Sequence, residues 1–160
     1  MALLRLTALL AVAALALTAT ASGALTPSQY RARLGTICEK VEAQTKALGN
    51  GQPMSRTQIV QFLAARLGVM RQEYMSLRAL QPPATLAAAH RRLLVAAWTT
   101  VNLDTKAVGQ MQRGADPNAA LMKEWSSSSW LSSDEALAWM DVGVPGCQNA
   151  DTFTLVSSGK

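Results

Sequence analysis

Apolar residues recur every three or four positions in four successive segments of this chain between residues 26 and 142. That spacing places them on one face of a helix, and the strict apolar–polar alternation that indicates a β-strand is absent. Short stretches rich in proline, glycine and asparagine separate the segments. The pattern predicts an all-α fold, an up-down four-helix bundle in which each helix buries its apolar face against its neighbours.

Residues that cap or break helices mark where these segments begin and end. Thr26 with Gln29, and Ser55 with Gln58, have the spacing of capping boxes. Two prolines at 82–83 should end the second helix and open the third, which predicts a tight hairpin. Together the signals predict helices over residues 26–48, 55–80, 83–113 and 116–142. A serine run at 126–129 and a further capping box at 132–135 leave open whether the last segment is one helix or two.

The first 21 residues have the composition of a secretory signal peptide. Arg5 precedes an apolar run over 6–17, and Ala19-Thr20-Ala21 fits the small-residue cleavage pattern. This run is shorter than the roughly 20 apolar residues of a transmembrane helix, although an uncleaved membrane anchor is the alternative. The sequence therefore predicts an exported protein of the periplasm or extracellular space. Its parts would be a signal peptide at 1–21, a helical bundle domain at 22–147 and a flexible tail at 148–160.

The chain contains two cysteines, Cys38 and Cys147. An even cysteine count behind a secretory signal predicts a disulfide, which here would close a loop of about 110 residues. The alternatives are two buried free thiols or pairing with another chain. A redox role is not predicted, because there is no Cys-x-x-Cys pair.

His90, the single histidine, falls on the apolar face of the third helix. If helices two and three fold back on each other directly at the two prolines, a residue of one helix lies opposite the residue of the other for which the two sequence numbers add to about 164. His90 would then face Tyr74, with Glu73 nearby, and these three residues form a possible ligand site. The alternative is a histidine that is simply hydrogen-bonded within the hairpin.

Two further charged residues, Arg66 and Asp104, also project towards apolar faces. A buried charge is costly unless it is paired, so each needs a partner. With the same hairpin geometry they lie about 9 Å apart along the helix axis. We predict that they form a structural ion pair.

The sequence motifs of common cofactor and enzyme classes are missing. There is no Cys-x-x-Cys-His haem motif, no repeated Glu-x-x-His, no Gly-x-Ser-x-Gly elbow and no glycine-rich phosphate loop. The sequence therefore predicts a protein that is not an enzyme and has no cofactor or metal. The alternative function is a small-ligand or metal carrier that uses the bundle interior near His90.

Charge is distributed unevenly along the chain. Residues 43–103 carry seven lysines and arginines against one glutamate, a net charge of +6, whereas residues 104–160 have a net charge of −3. Arg78, Arg91 and Arg92 gather near the predicted hairpin turn, and Trp130 is the best candidate for an exposed tryptophan. This end predicts a binding surface for an anionic envelope polymer, a lipid surface or another protein. The alternative is an ordinary solvated bundle end, and nucleic acid is not an expected partner.

Three stretches, "YRARLGTICEKVEAQTKAL", "LRALQPPATLAAAHRRLL" and "GVPGC", resemble a group of small exported bacterial helical proteins with two cysteines. That group shares an Ile-Cys on the first helix, a Leu-x-x-Leu-x-Pro-Pro turn followed by leucine and histidine, and a late Gly-x-x-x-Cys. The resemblance spans residues 28–147. It implies the helical architecture and the disulfide, and it implies no chemistry, because the group has no established activity.

Overall fold

The structure, a computed structural model, describes residues 25–49, 55–126, 131–145 and 147. This part of the chain is helical and contains no strand, which confirms the predicted all-α class. The predicted signal peptide, the predicted tail and Trp130 lie outside the described residues. Helices α1 to α5 and one 3-10 turn have these bounds: α1 Pro27–Ala47, α2 Arg56–Arg78, the 3-10 turn Ala84–Leu86, α3 Ala87–Gln112, α4 Pro117–Ser126 and α5 Leu131–Asp141. None of the described helices has the length and apolar character needed to cross a membrane.

Helices α1 and α2 begin at the predicted capping boxes. The Thr26 hydroxyl accepts a hydrogen bond from the Gln29 amide, and the Gln29 side chain accepts one from the Thr26 amide. Ser55 and Gln58 make the same reciprocal pair at the start of α2. Each pair satisfies backbone N–H groups that a helix start otherwise leaves without partners.

Helix α3 is the central element. It packs against α2, α4 and α5, while α1 packs against α2. The buried apolar side chains form two clusters. One joins α1, α3 and α5 around Tyr30, Leu93 and Trp139, and the other joins α2, α3 and α4 around Leu67 and Met111.

The turn after α5 is fastened to α1. Cys38 and Cys147 form a disulfide with their Cα atoms 5.7 Å apart, as predicted. Arg31 Nε of α1 also donates a hydrogen bond to the Val142 carbonyl, at 3.2 Å. Gly143 follows with φ +83°, and a Cβ there would lie 2.5 Å from Arg31 Nε. Glycine is thus required both by the left-handed backbone and by the close approach of the arginine.

The connection between α2 and α3 is longer than the predicted tight turn. Helix α2 ends at Arg78 and α3 begins at Ala87, with the 3-10 turn and the two prolines between them. Tyr74 packs on Trp98, so opposed residues have numbers that add to about 172 rather than 164. The predicted axial register of the two helices is therefore wrong by roughly two helical turns.

Candidate functional site

His90 pairs with a residue of α1. Its Nδ1 lies 2.7 Å from the Tyr30 hydroxyl, and the two rings meet edge to face with centroids 5.7 Å apart. Both residues are buried, Tyr30 completely. The contact joins α1 to α3 across 60 residues of sequence, so it depends on how the helices pack and could not be read from either helix alone.

Burial keeps both rings uncharged near neutral pH. It raises the pKa of Tyr30 to about 12, and it lowers the pKa of His90 below the usual 6.5. A neutral imidazole can accept a hydrogen bond from the phenol at Nδ1 only if its own proton sits on Nε2. The arrangement is that of a satisfied core hydrogen bond, in which Tyr30 occupies one imidazole nitrogen.

The predicted ligand site of His90, Tyr74 and Glu73 is not assembled as expected. The ring of Tyr74 packs on Trp98, with centroids 5.0 Å apart. Trp98 lies eight residues, or about 12 Å of helix, from His90. Glu73 is buried beside Tyr74 on α2. The prediction failed because it assumed that α2 and α3 fold back directly at the two prolines, whereas the observed register brings Trp98 rather than His90 to Tyr74.

Arg66 and Asp104 form the predicted ion pair. Arg66 Nη1 donates to Asp104 Oδ2 at 3.1 Å, and both residues are almost completely buried. The 9 Å axial offset expected from the sequence disappears in the true register. The pair lies between α2 and α3 inside the molecule, where it holds these helices in one axial position.

The three arginines of the predicted binding surface are exposed, unlike the buried Arg66. Arg78 and Arg91 lie on the surface of α2 and α3, as the predicted binding surface requires. Arg92 is also exposed, but its Nη2 donates to Asp141 Oδ2 of α5 at 2.6 Å. Trp130, the fourth predicted member, lies outside the described residues.

Two exposed stripes run side by side on α2 and α3. Each has the spacing i, i+4, i+7, which brings its members onto one helix face. The stripe of α2 is Arg71, Met75 and Arg78, and that of α3 is Arg91, Val95 and Trp98. We call these six residues the arginine–tryptophan face.

The two stripes are in contact across the helix interface. Arg71 Nη2 of α2 donates to Thr105 Oγ1 of α3 at 3.1 Å, and Tyr74 beside Met75 packs on Trp98. Because α2 and α3 are antiparallel, the apolar Met75, Val95 and Trp98 lie at the centre of the face and the arginines flank them. The three apolar side chains are 58, 64 and 48% exposed.

Trp98 is a surface residue that was not predicted from the sequence. Its signal was present, because Arg91, Val95 and Trp98 have helical spacing and project away from the stripe of Leu93 and Val101. The contact with Tyr74 had no such signal, since it depends on the register of α2 against α3.

Among the described residues, no group of three or more histidine, cysteine, aspartate or glutamate side chains is placed to hold a metal ion. Comparison of the chain with protein-family models, curated proteins and solved structures found no match.

Proposed function

We propose that this chain is an exported, non-catalytic helical-bundle protein that docks on anionic lipid surfaces through the arginine–tryptophan face. The observation that carries this proposal is the composition of the face. Three large apolar side chains stand exposed at its centre, arginines flank them on both sides, and the face itself includes no acidic residue.

The physical chemistry of a membrane interface fits this composition. Arginines near an anionic bilayer contribute about 1 kcal/mol each through the surface potential. Tryptophan favours the boundary between headgroups and acyl chains, and exposed methionine and valine gain from burial there. A surface of arginines alone would bind by charge, whereas this one combines charge with partial insertion.

The proposed architecture is an up-down four-helix bundle in which α4 and α5 together form the fourth member. Support comes from α2 and α3, which run antiparallel, and from α4 and α5, which both pack on α3. Export is proposed with it, and the Cys38–Cys147 disulfide supports an oxidising compartment.

A carrier function at His90 is less well supported than surface binding. Tyr30 occupies Nδ1 of the imidazole, and burial of both rings leaves the pair in the apolar cluster between α1, α3 and α5. A ligand that bound at Nδ1 would have to break this buried hydrogen bond. The exposed face needs no such rearrangement.

The first experiment is vesicle co-sedimentation of the full chain purified after export from a bacterial host. Vesicles of phosphatidylglycerol and phosphatidylcholine are compared with vesicles of phosphatidylcholine alone. We expect binding to the anionic vesicles that weakens steeply between about 10 mM and 1 M salt, as the Debye length falls from about 30 Å to 3 Å. Equal binding to both vesicle types, or to neither, would refute the proposal.

Charge-matched variants test the location of the surface. The double variant Arg78→Glu/Arg91→Glu should lose more than about tenfold in vesicle affinity, because two attractive charges become repulsive. The control Arg33→Glu/Lys123→Glu changes net charge equally at exposed positions of α1 and α4. If the control loses as much affinity as the test variant, binding is a property of net charge and not of this face.

The apolar part of the face has its own pair of variants. Trp98→Ala should weaken vesicle binding by about tenfold, since full burial of a large apolar side chain contributes about 1.5–3 kcal/mol and Trp98 is already half-buried. Met122→Ala truncates a 66% exposed side chain on α4 and should leave binding unchanged. Equal effects of the two substitutions would show that Trp98 does not insert.

A further inference from the structure

A groove with a volume of about 570 Å³ runs along the surface between α3 and α5. Its floor contains Ala96 and Ala138, which are almost completely buried, and its rims carry Val95 and Leu137, which are more than half exposed. Small side chains on the floor let a ligand approach the helix backbones. The volume is within the range of about 300–1,000 Å³ that is typical of small-molecule sites.

Charge is concentrated at one end of this groove. Arg92 and Asp141 form an ion pair that bridges the two helices there. Arg91 also lines the groove, and in the described part of the chain it has no hydrogen-bonding or ion-pair partner. The three charged groups leave a net charge of +1 at this end, and Arg91 is the cation that remains available to a ligand.

The length of the groove suits a single extended hydrocarbon chain. The groove follows α3 from Ala88 to Thr99, about 16 Å along the axis. An extended hydrocarbon chain can lie along a groove of this length.

We propose that the α3–α5 groove binds one single-chain anionic amphiphile, a fatty acid. Its carboxylate pairs with Arg91, and its hydrocarbon chain lies over Ala96 and Ala138 between Val95 and Leu137. This site goes beyond the membrane-docking face, because it takes one molecule and not a bilayer. It shares only Arg91 and Val95 with that face.

The test is isothermal titration of the full chain with dodecanoate below its micelle concentration. We expect saturable binding of one molecule per chain. Dodecyltrimethylammonium, which has a chain of equal length and the opposite charge, should bind at least about tenfold more weakly. No saturable binding of dodecanoate, or equal binding of the two amphiphiles, would overturn the proposal.

A matched pair of variants tests where the hydrocarbon chain of dodecanoate lies. Leu137→Glu should lower dodecanoate affinity by at least about tenfold, because it removes an apolar rim and places a carboxylate beside the hydrocarbon. Met140→Glu makes the same change at a 53% exposed position of the same helix that does not line the groove. Both positions are exposed, so the fold should persist, and equal losses in the two variants would overturn the site.

A second pair locates the carboxylate and separates this site from membrane docking. Arg91→Gln should weaken dodecanoate binding by about threefold, the effect expected for an exposed ion pair. Arg78→Gln should leave dodecanoate binding unchanged while it weakens vesicle binding. Dodecanoate binding without vesicle binding would retain the groove and refute the membrane face, and the converse would retain only the face.

Amide chemical shifts identify the occupant. Dodecanoate should shift resonances along residues 88–99 and 137–141 and leave α1 unchanged. If the same resonances respond to rising protein concentration and not to dodecanoate, a second copy of the chain occupies the groove, and the proposal is wrong.

Discussion

Two polar side chains of α3, His90 and Asp104, are buried, and each is paired with a residue of another helix. The imidazole of His90 holds the Tyr30 hydroxyl at 2.7 Å, and the carboxylate of Asp104 holds the Arg66 guanidinium at 3.1 Å. Each pair links α3 to another helix. A buried polar group that loses its partner incurs its full desolvation cost, so these pairs favour one arrangement of the helices over others.

The His90 pair should make stability depend on pH. Because burial lowers the pKa of His90 in the folded state, the unfolded chain binds a proton more readily as pH falls below about 6.5. The free energy of unfolding should therefore be largest above pH 6.5 and decrease as the solution is acidified through the lowered pKa. Urea unfolding at a series of pH values on both sides of pH 6.5 measures this dependence. His90→Leu should give a flatter profile, and identical slopes in the two proteins would contradict the assignment.

The buried ion pair should matter far more than an exposed one. Asp104→Ala leaves the Arg66 guanidinium without this carboxylate, and we expect it to lower the free energy of unfolding by about 3–5 kcal/mol. Glu42→Ala breaks the exposed Lys46–Glu42 pair and should cost less than about 1 kcal/mol.

A double variant distinguishes the cost of leaving one charge unpaired from the net contribution of the ion pair to stability. Arg66→Met/Asp104→Leu should recover most of the stability that Asp104→Ala loses, because neither member of the pair is left buried without the other. Chemical denaturation of the four proteins provides the comparison. If Asp104→Ala were no more harmful than Glu42→Ala, the buried pair would have no special energetic role.

At the scale of the helices, local sequence signals decided where helices begin, whereas packing decided the axial register of α2 against α3. Capping boxes at Thr26 and Ser55 marked the starts of α1 and α2 correctly, because a cap acts on backbone groups only three residues away. Pro82 and Pro83 marked the break after α2, but they did not reveal the length of the connection. The 3-10 turn at Ala84–Leu86 lengthens it. The axial shift brought Trp98 rather than His90 to Tyr74, whereas the predicted Arg66–Asp104 pair formed.

The caps should contribute measurable stability. Thr26→Ala removes the acceptor for the Gln29 amide and should lower the free energy of unfolding by about 1 kcal/mol. Thr26→Ser retains the hydroxyl and should stay within a few tenths of a kcal/mol of the parent protein. Urea midpoints at constant slope give the comparison, and equal losses for alanine and serine would show that the hydroxyl does not act as a cap.

At the scale of the whole molecule, the disulfide joins the two ends of the described helical region. Cys38 lies on α1 and Cys147 in the turn after α5, 109 residues later. The bridge therefore restricts the unfolded chain strongly, and it also holds α5 where Trp139 and Val142 enter the core with Tyr30.

Removal of the bridge should destabilise the protein throughout. In the chain-entropy treatment, a loop of about 110 residues contributes about 4–5 kcal/mol, which we expect the Cys38→Ala/Cys147→Ala variant to lose. Reducing agent should lower the urea midpoint of the parent protein and leave that of the variant unchanged. Hydrogen exchange should become faster in α5 than in α2. A parent protein insensitive to reductant would argue against a stabilising bridge.

The amino-acid sequence by itself determined the helical class, the starts of α1 and α2 and the apolar face of each helix, and it favoured the pairing of Cys38 with Cys147. Those features depend on interactions within a few residues, or on there being only two thiols to join. The tertiary structure alone decided that His90 meets Tyr30 and that Tyr74 lies on Trp98. Both contacts depend on the axial position of one helix against another, which is set by the geometry of the connecting segment and by core packing over the whole chain.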